Sequence, residues 1–253
     1  MLENYIKEKL KNKDILLMTH IVMGYPNFDD SLKIIESMVN AGVDMMELQI
    51  PFSEPIADGP VILNANQISL QNGATVEKCF KLAKTVSERF DIPFLFMTYY
   101  NIIYKYGVEK FIKKSAECKI KGLITPDLPH EEAGEYLSAM KSSNLAPIFL
   151  FSPTTQQDRM NEIAKYGSGF IYCIARKGVT GLDTSFAENL EKYLSDCRKA
   201  TSLPLALGFG VKEKKDVDYL KGKVEIAIVG TQSIKVIDNE GIGGIDGFIK
   251  GLR

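Results

Sequence analysis

An α/β chain, a closed ring of eight βα units with one additional helix at the N-terminus, is the fold the sequence predicts. Three observations predict it. Short β-branched or aromatic runs recur about eight times along 253 residues. Each is followed by a polar loop and then by a stretch whose apolar residues repeat with the period of a helix. The loops that follow the runs are rich in glycine, acids and hydroxyls, whereas the turns that precede them are short and plain, an asymmetry expected where one end of a barrel carries the function.

The first element, Met1 to Asp14, alternates charges with isolated apolar residues (Leu2, Tyr5, Ile6, Leu10) and reads as an amphipathic helix, not a signal peptide. The predicted strands are Ile15–Val22, Asp44–Ile50, Pro93–Tyr99, Gly122–Thr125, Pro147–Phe151, Phe170–Ile174, Leu203–Leu207 and Glu225–Val229. That number is the strand count of the TIM barrel. Between them, Val76, Cys79, Phe80 and Ala83, and again Phe186, Leu190, Tyr193 and Leu194, recur at spacings that form one apolar helix face. Gly42, Gly122, Gly167, Gly169 and Gly222 stand where a left-handed helix cap would close each unit. A doubly wound open sheet is the alternative, but the first strand lacks the GxGxxG turn of a dinucleotide fold. With no composition break or long linker, residues 1–253 read as a single domain.

Composition narrows the function. Thirty-one basic and thirty-two acidic residues nearly cancel, so no overall field draws the chain to nucleic acid or an anionic membrane. No apolar run approaches the roughly 20 residues of a membrane span. Cys79, Cys118, Cys173 and Cys197 are scattered without metal-ligand or redox spacing and read as reduced. The expected location is the cytoplasm, and the expected ligand a small neutral-to-anionic molecule.

Candidate chemistry gathers after the strands. Glu47 interrupts the apolar run Met45–Ile50. Pointed into a barrel, its carboxylate would bear a desolvation cost, the setting that suits a side chain to acid or base work. Facing solvent, or paired with a lysine, it would be an ordinary strand residue. Asp58, in Pro55-Ile56-Ala57-Asp58-Gly59-Pro60, could bring a second carboxylate to the same mouth or simply cap the next helix. Gly208-Phe209-Gly210 and Gly230-Thr231 follow the last two strands, where barrels hold phosphate on backbone N–H groups. Arg176 and Lys177 followed by Gly178-Val179-Thr180-Gly181 have the composition of a lid, or of an ordinary surface loop. Tyr99, Tyr172 and Phe209 could form an aromatic wall or belong to the core, and His20 and His130 read as structural or loop residues without metal-ligand spacing.

Taken together, Glu47-Leu48, Pro51-Phe52-Ser53, the Pro55–Pro60 block, Gly178–Gly181, Gly208–Val211 and Ile228–Gly230 resemble, in order and spacing, the tryptophan synthase alpha subunits. The resemblance spans essentially the whole chain, and its first block is the most specific. It implies retro-aldol cleavage of indole-3-glycerol phosphate to indole and glyceraldehyde 3-phosphate, without a metal or organic cofactor in this chain. It further implies a partner beta subunit that carries pyridoxal phosphate, joined in an alpha2-beta2 heterotetramer. By the same resemblance Glu47 matches the catalytic acid/base and Asp58 the indole-binding aspartate. Thr180 matches the lid threonine and Tyr172 an active-site tyrosine, and Gly181, Gly210, Gly230 and Thr231 match the phosphate-holding positions. Three residues depart from the pattern: Gln49 stands where glycine is usual, Glu54 where aspartate is usual, and Ala175 where serine is common. A stand-alone lyase, or a barrel serving chiefly to activate its partner, are the competing expectations.

Overall fold

The computed structural model describes residues 2–175, 184–208 and 210–253, with 184–188 as backbone. Among these residues are nine parallel strands, with helices between all successive pairs except β5 and β6: β1 (Leu16–Val22), β2 (Met45–Gln49), β3 (Phe94–Met97), β4 (Gly122–Ile124), β5 (Ala146–Ile148), β6 (Leu150–Phe151), β7 (Ile171–Ile174), β8 (Leu205–Gly208) and β9 (Ile226–Val229). Their order, β5-β4-β3-β2-β1-β9-β8-β7-β6, is sequential around a ring. The chain is a (β/α)₈ TIM barrel. It shows nine strands because the fifth of the expected eight is interrupted at Phe149. Pro147, in the short first piece, has no N–H to give to a ladder. The ring still closes across the interruption, since Tyr172 N donates to Phe149 O (3.0 Å) and Ser168 N to Pro147 O (3.0 Å).

Strand alternation divides the core into two shells. Leu16, Met18, Met45, Leu95, Met97, Ile124, Ile148, Ala206, Ile226 and Ile228 form the barrel interior. Their strand neighbours Leu17, Met46, Leu48, Phe94, Phe96, Leu123, Cys173, Leu207 and Val229 pack outward beneath the helices. The expected helix faces are present. Val76–Arg89 buries Cys79, Phe80, Leu82, Ala83 and Val86, and Thr184–Ala200 buries Leu190, Tyr193, Leu194 and Cys197. Phe186, expected on that second face, lies outside the residues described with side chains.

The N-terminal helix, Leu2–Lys9, buries Leu2 and Ile6, one turn apart, into the interior shell. Full burial of Ile6 contributes about 2 kcal/mol on area grounds. The helix therefore plugs one end of the barrel and leaves the other for chemistry.

One expectation about glycine is corrected. Gly42, Gly169 and Gly222 do adopt positive φ, but Gly122 and Gly167 do not, and Lys119 (φ 58°) takes the left-handed position before β4. Gly122 is required for a different reason: a Cβ there would lie 2.6 Å from the Ala146 carbonyl oxygen on the neighbouring strand.

All four cysteines are buried and free. Among the described residues no helix is long and apolar enough to cross a membrane.

Candidate active site

The open end of the barrel is organised by β1 and β2. Their register sets His20 opposite Glu47 and Val22 opposite Gln49, and the period of two turns all four positions toward the interior. Glu47 is 2% exposed and His20 4%. The carboxylate faces neither solvent nor a lysine: its Oε1 lies 3.1 Å from His20 Nδ1. Its other oxygen, Oε2, is buried without a partner, which leaves a lone pair directed to whatever enters the barrel.

Asp58 reaches the same mouth from the loop beyond β2. That loop is held by Asp58 N donating to Pro55 O (2.9 Å) and Ile56 N donating to Glu54 O (2.9 Å). The helix that follows, Pro60–Gln71, is capped by Gly59 with no side-chain bond, so Asp58 does not serve as the helix cap. Its Oδ2 instead accepts from Gln49 Nε2 (2.7 Å) and from the Tyr99 hydroxyl (3.1 Å). Tyr99 also accepts from Ala57 N (3.0 Å) and stacks on Phe52 with ring centroids 5.2 Å apart. The aspartate is thus held from both sides by side chains that are themselves fixed.

Electrostatics follow from burial. Burial raises the Asp58 carboxyl above the ordinary carboxylate range, with His20 and the bonds from Gln49 and Tyr99 partly opposing and Glu47 adding to the rise. Tyr172 is pushed well up, first by burial and then by the charges of Glu47 and Asp58, so its hydroxyl stays neutral and available as a donor. For His20, burial is the largest influence and acts downward. The charge and hydrogen bond of Glu47, the charge of Asp58 and the amide of Gln49 outweigh it and leave the ring above its ordinary 6.5.

The glycine loops lie beside this cluster because β8 and β9 are neighbours, Leu207 opposite Ala227. Gly210 is exposed and adopts φ +87°. Gly230 is the N-cap of the helix Thr231–Glu240, which has neither a side-chain cap nor an acid in its first turn. Helix N–H groups without an internal partner attract an anion there.

The structure therefore brings together Glu47, Asp58 and Tyr172, and sets Gly210, Gly230 and Thr231 on adjacent loops. Thr180, Gly181 and Phe209 lie outside the described residues, as does the rest of the run 176–183. His20 is the residue that sequence reasoning missed. Its signal was present in the alternation Leu16, Met18, His20, Val22, which places it on the interior face. The second histidine also has unexpected neighbours: His130, Glu131 and Glu162 offer atoms within 4.8 Å of one another. Arg159 already occupies both oxygens of Glu131, so the cluster is an ion-pair network.

A parallel barrel with a buried carboxylate-centred cluster at one mouth, and with a glycine-capped helix N-terminus beside it, falls in the class of barrel enzymes that act on small phosphorylated molecules by acid–base chemistry. Within that class the chain belongs to the tryptophan synthase alpha chain family, whose model matches residues 6–246. It is 59% identical over 252 residues to the tryptophan synthase alpha chain of Desulforapulum autotrophicum, and the match covers 100% of each chain. Among solved structures it resembles a tryptophan synthase of Mycobacterium tuberculosis (TM-score 0.92, 27% identity, covering 99% of this chain and 96% of that one). It also resembles the tryptophan synthase alpha subunit of Legionella pneumophila (TM-score 0.89, 26% identity, covering 99% and 96%). The chain is a carbon–carbon lyase of tryptophan biosynthesis that cleaves indole-3-glycerol phosphate to indole and glyceraldehyde 3-phosphate.

Proposed function

We propose that Glu47 and Asp58 carry out this cleavage, with the two glycine loops holding the substrate phosphate. The observation that carries the reading is Glu47 Oε2, a buried carboxylate oxygen without a partner at the open end of the barrel. The reaction needs a proton delivered to indole C3 and a proton removed from the glycerol hydroxyl adjoining that carbon. Protonation at C3 makes the ring an electron acceptor. Loss of the hydroxyl proton then forms the aldehyde while the electrons of the breaking carbon–carbon bond return to the ring as indole. Glu47 gives the first proton and receives the second, so the enzyme ends each turnover with the proton it began with.

Asp58 serves the indole nitrogen. Both of its side-chain bonds fall on Oδ2, which leaves Oδ1 to accept the indole N–H. That bond strengthens as positive charge develops on the ring, so it favours the transition state over bound substrate. Tyr172 lines the slot and donates from a neutral hydroxyl. Neither Gly208-Phe209-Gly210 nor Gly230-Thr231 contains a lysine, and backbone N–H groups at Gly210, Gly230 and Thr231 orient the phosphate. By resemblance Thr180 is the lid threonine and Gly181 a further phosphate-holding position, and Phe209 adds to the aromatic wall.

The chain works with a beta subunit that holds pyridoxal phosphate, in an alpha2-beta2 assembly docked through the barrel's catalytic face, and in the cytoplasm. A solved relative from Pyrococcus furiosus is described as a tryptophan synthase complex. Indole is small and apolar and crosses membranes, so direct transfer to the next site retains it. Substrate and partner must then favour the same state, and each tightens binding of the other. Subunit affinity measured with and without a non-cleavable indole-glycerol-phosphate analogue tests this. Tighter association with the analogue is expected, and no association in either condition, with full activity alone, would favour a stand-alone lyase.

A further inference from the structure

Three buried polar atoms at the barrel mouth have no hydrogen-bond partner: His20 Nε2, Glu47 Oε2 and Gln49 Oε1. The role given to Glu47 uses only one of them. A buried ion pair is not required for stability at such a position, because apolar side chains of similar volume commonly do as well or better. Packing alone therefore does not account for an imidazole between Glu47 and the second, open nitrogen position.

We propose that His20 is a positioning residue for the cleavage: its Nδ1 fixes Glu47 through Oε1, and the two side chains share one proton that rests on the ring between turnovers and passes to Glu47 for delivery to the substrate. The proposal rests on Glu47 being the proton shuttle. At rest the ring is an imidazolium and Glu47 a carboxylate. The Nδ1 proton crosses to Oε1, and a half-turn of the two-fold carboxyl torsion presents the O–H to indole C3. The carboxylate then takes the glycerol hydroxyl proton and returns it to Nδ1 by the reverse movement. The pair regains its starting charge, and no outside donor is consumed.

The surroundings favour the charged ring. Facing it are Glu47 and Gln49 from β2, Asp58 from the loop beyond, and the Gly230 backbone from the end of β9, where an added Cβ would lie 3.6 Å from His20 Cβ. The charges acting on it are Glu47 and Asp58, while the hydroxyl of the half-buried Tyr172 responds to the same two carboxylates and stays neutral. Gln49 does not reach hydrogen-bond geometry with Nε2, yet its amide still favours the protonated ring. Because the proton affinity of the folded ring is raised, the ion pair is fully present below the ordinary histidine range and is lost as pH climbs through the raised value.

The test compares the full wild-type chain with His20→Gln and Glu47→Gln, assayed for indole release with and without a beta subunit. Glutamine at position 20 keeps an amide donor for Glu47 but cannot carry the proton. For His20→Gln, KM should stay within about threefold while kcat falls about a hundredfold. The alkaline limb of the kcat profile should move down by about one pH unit or more, since a carboxylic acid alone ordinarily holds its proton only in the acid range. A merely structural histidine would change the melting temperature and leave the limb in place, and that result overturns the proposal. If Glu47→Gln is inactive while His20→Gln keeps the wild-type pH profile, the shuttle stands and the histidine role falls. If Glu47→Gln retains turnover, both fall. Should His20→Gln not fold, imidazole ¹⁵N shifts of the wild-type chain decide, because it has only two histidines. A His20 midpoint above 6.5 that drops in Glu47→Gln supports the proposal, and a ring already neutral at pH 6 overturns it.

Discussion

Strand β2 carries a buried carboxylate at its middle and another just before its start, and the two differ in how completely they are hydrogen-bonded. Asp44, just before the strand, is 3% exposed. Its Oδ2 accepts from Leu17 N (2.9 Å) and from Arg253 Nη2 (2.6 Å), and its Oδ1 accepts from Lys13. Both oxygens are satisfied, and the bonds tie the first strand and the last residue of the chain to the plugged end of the barrel. Glu47, three positions on, has one partner and an open oxygen. Burial is common to both acids; the completeness of hydrogen bonding is what separates Asp44 from the proposed proton shuttle.

Exchange of function for stability along β2 gives the sharpest tests of that contrast. Glu47→Gln, nearly isosteric, should lower kcat about a thousandfold while the thermal unfolding midpoint stays within a few degrees; an assay of indole release beside a calorimetric scan reads both. Near-normal turnover would remove Glu47 from the chemistry. Asp44→Ala should do the reverse. It orphans the Leu17 N–H and two cations, at a cost of about 3 kcal/mol or roughly 9 °C in Tm for a chain of this size. Its kcat should stay within about twofold, as for other changes remote from the reacting groups. Large loss of kcat with an intact Tm would mean that the two ends are not separable.

A smaller effect is expected at the loops. Gly210→Val places a β-branched residue at φ +87° and narrows the approach of the phosphate to the backbone. KM should rise about tenfold, with kcat less affected. Steady-state kinetics with the substrate and with a phosphate-free analogue would locate the effect, since only the phosphorylated substrate should be penalised.

The same contrast marks how far the sequence could be read. Glu47 and Asp58 stood out because an acid within an apolar run and an acid in a proline-glycine turn are local anomalies. The glycine loops stood out by their place after the last two strands. Asp44 gave no comparable signal, because its partners Leu17, Lys13 and Arg253 are up to 209 residues away. For His20 the sequence is legible only in part: alternation within Leu16–Val22 puts it on the interior face, but its pairing with Glu47 depends on the register of the neighbouring strand.

What the sequence determined by itself was the βα repeat, the N-terminal amphipathic helix and the barrel, and it singled out Glu47 and Asp58 as the two candidate carboxylates. These depend on the period of apolar residues and on backbone-specific residue types, which are properties of contiguous chain. The tertiary structure alone decided the split of the fifth strand at Phe149, the His20–Glu47 pair, and the attachment of Asp58 to Gln49 and Tyr99 in place of a helix cap. Each is a relation between segments distant in sequence, set by strand register and by which buried polar groups can reach one another once the ring has closed.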